Sequence, residues 1–127
     1  MRKTAGLGLR QIVMGMLILG LALAVRILPA TAGETRTFTL VNVQIGQTKI
    51  WLPSTITVYE GDEVELTLDN TLNVPHGFKL AAYNIEVVVP PEQKRTVRFT
   101  ANKSGAYPFV CQLHAAHVGG QVVVLAK

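Results

Sequence analysis

From Glu34 onward, apolar and polar residues alternate with a period near two. TRTFTLVNVQI places Phe38 and Leu40, and after them Val43 and Ile45, on apolar faces between Thr, Asn and Gln. KIWLP predicts a strand that stops at Pro53, and Ile56 and Val58 mark a second. A turn at Glu60, Gly61 and Asp62 then leads into Val64, Leu66 and Leu68, all pointing one way. NIEVVVPP is a strand closed by a double proline, because a central strand cannot spare the missing N–H. RTVRFTA alternates again through Val97 and Phe99, Asn102 to Gly105 is a turn, YPFVC is a short strand and QVVVLAK a last one. Strand and turn signals recurring every eight to twelve residues, without a helical period, predict an all-β antiparallel sandwich or barrel. The stretch from about Asn70 to His76 has no clear period and is expected to be a loop.

The first 32 residues follow a different rule. Arg2, Lys3 and Arg10 precede an unbroken apolar run, Ile12 to Val25, and Ala30, Thr31 and Ala32 form an A-x-A cleavage signal. This is the three-part layout of a secretory signal peptide. The run is shorter than the roughly 20 residues of a spanning helix. Arg26, between the run and the cleavage signal, leaves an uncleaved anchor as the alternative. The expected organisation is a signal peptide over 1–32 and one β-domain over 33–127, outside the cytoplasm and, in a bacterium, periplasmic. The membrane is a partner only if the segment is retained.

Export changes the charge. Four of the 12 Lys and Arg lie in residues 1–32 and all eight acids lie beyond it, so the formal net charge of +4 belongs to the leader. The remaining chain is balanced, with no basic cluster, and nucleic acid is not an expected partner. All three methionines also fall within the leader.

The mature segment has a single cysteine, so no internal disulfide can form. That cysteine opens CQLHAAH, in which Cys111, His114 and His117 are separated by two residues each; the third histidine, His76, lies in NTLNVPHGFKL. Singly, each has a plain reading, since a lone strand-end cysteine is usually a small buried hydrophobe. Together they are a thiolate and three imidazoles, the donor set that selects copper or zinc. A nucleophilic Cys–His pair is the weaker reading, because no helix N-terminus is expected nearby to supply an oxyanion hole.

Two motifs carry a resemblance. Asn70-x-x-x-x-Pro75-His76 and Gly105-Ala-Tyr107-x-Phe109-x-Cys111-x-x-His114 resemble the two ligand loops of the cupredoxins, and STITVYEGDEVELTLDN resembles their scaffolding. The resemblance implies a Greek-key β-sandwich or barrel and one bound copper ion, cycling between Cu(I) and Cu(II). It further implies His76, Cys111 and His114 as ligands. Where blue-copper members place an axial methionine this chain has His117, and ANKSGAYPFVCQLH is similar to the corresponding run of the nitrosocyanin-like red copper proteins. Those have a glutamate in place of His76 and a loop two residues longer between the histidines. Gln121 is a second, lesser candidate for the axial place. The function implied is electron transfer, or redox chemistry on a small ligand, with a redox partner protein or that ligand as partner. Periplasmic copper carriage and a structural zinc site are the alternatives.

Overall fold

A computed structural model describes residues 32–127. Nine strands follow one another: β1 Thr35–Ile45, β2 Thr48–Leu52, β3 Thr55–Tyr59, β4 Glu63–Asn70, β5 His76–Leu80, β6 Ile85–Val89, β7 Lys94–Thr100, β8 Gly105–Phe109 and β9 Gly120–Leu125. A single 3-10 turn, Ala81–Tyr83, is the only helical element among the described residues. The all-β reading therefore holds. The leader and its cleavage signal lie outside the described residues, apart from Ala32; among the described residues no helix is long and apolar enough to cross a membrane.

One face of the sandwich is the sheet β2-β1-β4-β7. The other combines β3-β9-β8 with β5-β6, and a reciprocal pair of hydrogen bonds between Lys79 and Val110 stitches β5 to the end of β8. Between the faces lie Leu40, Val64, Leu66, Leu68 and Phe99 from the first sheet and Ile56, Val58, Phe109, Val122 and Val124 from the second. Alternation puts them there: β4 reads exposed and buried by turns until Asn70. Each fully buried side chain of this size contributes about 1.5–3 kcal/mol. A solvent-facing ion pair such as Lys94–Asp69 (2.8 Å) contributes only about 0–1 kcal/mol, so the core holds the sheets together.

Two features depart from the sequence pattern. The ladders β1–β4 and β3–β9 are parallel, not antiparallel, because the chain crosses between the sheets before it returns beside its starting strand. The predicted loop is shorter than expected, since Asn70 ends β4 and His76 begins β5, leaving only residues 71–75 between strands.

Candidate metal centre

The sandwich gathers its chemistry at one end. His76 is the first residue of β5, while Cys111, His114 and His117 lie in the connection from β8 to β9. The Lys79–Val110 bonds hold the two stretches side by side, so a histidine and a cysteine 35 residues apart meet. Cys111 Sγ lies 3.9 Å from His76 Nδ1 and 3.5 Å from His114 Nδ1, and the three donor atoms all fall within 4.8 Å of one another. His76 and Cys111 are buried and His114 is half-buried.

The backbone prepares the sulfur. The Gly77 N–H donates to Sγ at 3.2 Å, which fixes the position of the sulfur. The Gly77 carbonyl on the other side of that residue accepts from Trp51 Nε1 at 3.1 Å, in the fully buried core. A side chain at 77 would run into Gln112, whose amide in turn donates to the Val87 carbonyl at 3.0 Å. Burial, and after it the neighbouring imidazoles of His114 and His117, pushes the His76 pKa down to about 4, so its ring is neutral and carries a lone pair at physiological pH. Imidazole nitrogens converging on a sulfur held by an amide are what a soft or borderline cation requires. The donor set fits such an ion.

His117 stands beside this trio. Its ring centroid is 5.2 Å from that of His76, but its nitrogens lie against protein oxygens, Nδ1 at 3.0 Å from the Val118 carbonyl and Nε2 at 2.9 Å from Asn42 Oδ1. The structure thus brings three of the four sequence-derived candidates into one cluster and places the fourth next to it. Gln121, the lesser candidate, is exposed on β9 opposite Pro108.

Asn42 and Asn70 are both fully buried; Asn70 opens the ligand-loop motif, whereas Asn42 was not singled out and neither was expected to be buried. The signal was present: Asn42 follows Leu40 by two and Asn70 follows Leu68 by two, so each continues an inward-facing row. They are register partners in the parallel β1–β4 ladder, and Asn42 Nδ2 donates to Asn70 Oδ1 at 3.2 Å. Asn70 also donates to the carbonyls of Val74, Val89 and Pro90 at 2.8, 3.1 and 3.1 Å, which fastens the 71–75 loop just ahead of His76.

A two-sheet β-sandwich with a His-Cys-His cluster at one end defines a class of protein, and sequence comparison agrees with it. The chain belongs to the cupredoxin-like domain family, whose sequence model matches residues 15–124. It is similar to the nitrous-oxide reductase of Stutzerimonas stutzeri, 33% identical over 67 residues, or 49% of this chain and 10% of that protein. The nitrous-oxide reductase of Cupriavidus necator is 36% identical over 64 residues, 46% of this chain and 10% of that protein. The matched part thus spans about a tenth of the length of these relatives. Among solved structures, a copper nitrite reductase from Nitrosomonas europaea superposes with a TM-score of 0.64 at 22% identity, over 74% of this chain and 42% of that one, a likeness of fold.

Proposed function

We propose that the domain is an exported, mononuclear copper protein of the nitrosocyanin-like kind, serving electron transfer or redox chemistry on a small ligand. The observation that carries this reading is the convergence of Cys111 Sγ with two imidazole Nδ1 atoms inside a cupredoxin-like sandwich. Likeness to proteins named for nitrous-oxide and nitrite reduction supports copper over zinc. Copper held by His76, Cys111 and His114 would supply a one-electron couple whose potential depends on its donors.

The chain's own residues perform the rest. His76 and Cys111 are covered, so water reaches the cluster chiefly from the side of His114. Leu113, next to His114, is 45% exposed and gives that side an apolar margin suited to close approach of a redox partner. Gly77, whose carbonyl is itself held by Trp51, would keep the sulfur in place. His117, beside the cluster, would be the fourth residue to hold the metal. Export is proposed from the N-terminal charge and apolar pattern, with cleavage before Gly33.

Titrating the metal-free protein with Cu(II) tests the reading. An intense visible thiolate-to-copper band should grow and saturate at about one equivalent of metal. Metal bound without any such band would exclude the copper-thiolate function and favour a structural zinc-type site.

A further inference from the structure

The pairing between β5 and the end of β8 stops one rung short of where its register would carry it. Lys79 and Val110 exchange both backbone hydrogen bonds, at 2.8 and 3.0 Å. In an antiparallel pair the next such rung lies two residues back on one strand and two residues on along the other. That rung would set Gly77 opposite Gln112. The Gly77 amide instead donates to Cys111 Sγ at 3.2 Å, and the Gly77 carbonyl accepts from Trp51 Nε1 at 3.1 Å. A sulfur and an indole thus stand where the backbone of Gln112 would be, and the ligand loop leaves the sheet here.

Gln112 stays attached by its side chain. The three atoms nearest to a Cβ built at Gly77 are Oε1, Cδ and Nε2 of Gln112, so the amide lies across the bare face of that glycine. Gly77 has no left-handed φ, so what glycine supplies at this position is room for the amide. From there Nε2 donates to the Val87 carbonyl on β6 at 3.0 Å. Gln112 lies between Cys111 and His114 in the loop, while Gly77 and Val87 belong to the hairpin that carries His76. One packing contact and one hydrogen bond therefore join the two ligand-bearing segments directly beside the sulfur.

We propose that Gln112 is a positioning residue: laid across Gly77, its side chain clamps the ligand loop to the β5–β6 hairpin and keeps the Cys111 sulfur at the Gly77 amide before any metal binds. This deepens the copper reading above and rests on it for the purpose of the site. The clamp itself is a property of the metal-free chain. It replaces the backbone rung that the loop gives up, so the sulfur is turned into the cluster without the loop being cut free of the sheet. A site held in its binding geometry by surrounding packing and hydrogen bonds loses less to ordering when the metal arrives.

Amide hydrogen exchange of the metal-free protein, read residue by residue, tests the clamp. In Gln112→Ala the Gly77 amide should exchange roughly fivefold faster than in the wild type, the equivalent of one ordinary hydrogen bond, while the Lys79 amide on the last intact rung keeps its rate. The reduction potential of the copper-loaded variant should fall, because hydrogen bonding at the cysteine sulfur tunes it and a donor there lessens the charge given to Cu(II). Gly77→Ala should have the same effects by displacing the amide, and adding it to Gln112→Ala should change little further. Full additivity of the two substitutions would mean that the side chains do not meet in solution, and overturns the proposal. So does an unchanged Gly77 rate in Gln112→Ala, or a rise shared equally by Lys79 with a lower melting temperature, which marks a merely structural residue. A copper-loaded wild type without a visible band removes the copper reading, whereas the exchange rates of the metal-free protein still decide the clamp.

Discussion

Cys111 is approached from two directions at once: the amide of Gly77 donates to its sulfur at 3.2 Å, and the imidazoles of His76 and His114 bring their Nδ1 atoms to the same space. The contacts from Gly77 and His76 are not written in the cysteine's own neighbourhood, since those two residues come from a different strand pair. The CQLHAAH spacing was legible as a soft-ligand cluster, and two of its three donors, Cys111 and His114, do meet, together with His76. The orientation of His117 was not legible, because it depends on Asn42, whose type gives no hint of a buried role. At this scale the decisive prediction concerns the axial place. In copper-loaded His117→Met a thioether should replace the proposed imidazole, so absorption should move from the red-protein type toward blue. The reduction potential should rise, since a thioether favours Cu(I) more than an imidazole does. Spectroelectrochemistry of the two proteins checks it; identical spectra and potentials would take His117 out of the ligand set.

The strands read well wherever one face is wet. β4, β3 and β9 alternate in burial, and their inward residues are the ones the period of two selects. β5 was missed for the opposite reason. His76, Gly77, Phe78 and Leu80 are all buried, because β5 is covered on both sides where the ligand loops fold over it, and an element without a wet face has no alternation to show. The direction of pairing was also hidden. Alternation looks the same in parallel and antiparallel strands, so the parallel β1–β4 ladder emerged only with the chain path. That ladder matters to the site, as it alone puts Asn42 level with Asn70. A buried polar pair at the end of two apolar rows is costly unless satisfied, and here its bonds reach both ligand-bearing segments.

Across the whole molecule, a second buried polar hub anchors the start of the domain far from these ligands in the chain. Asp62 is fully covered and accepts from the amides of Tyr59 and Glu34, each at 3.0 Å, from Arg36 Nε at 3.2 Å, and lies 3.5 Å from Lys127 Nζ. One carboxylate thus ties the β3–β4 turn to both ends of the described chain; the sequence showed it only as a turn residue. The Tyr59 amide first, then Glu34, Arg36 and Lys127, outweigh the opposing effect of burial and lower its pKa from 3.8 to about 2. Because the folded value is depressed, the unfolded chain binds the extra proton. This contribution to stability is complete above about pH 4 and is lost as pH falls from there toward 2. Asp62→Asn should melt lower than wild type at neutral pH, and the gap should narrow over that acid range. Melting curves from pH 7 down to 2 check it; a gap independent of pH would mean that the charge of Asp62 carries no stability.

If the Cys111 sulfur is a copper ligand, the visible spectrum of copper-loaded Cys111→Ser must differ from that of the wild type. Serine keeps the size and the fold but has no thiolate to donate charge to Cu(II). The wild type should show an intense visible band, and the variant, loaded and assayed for copper in parallel, should show none. The same band in both proteins, or its absence from the copper-loaded wild type, would mean that the Cys111 sulfur does not bind copper.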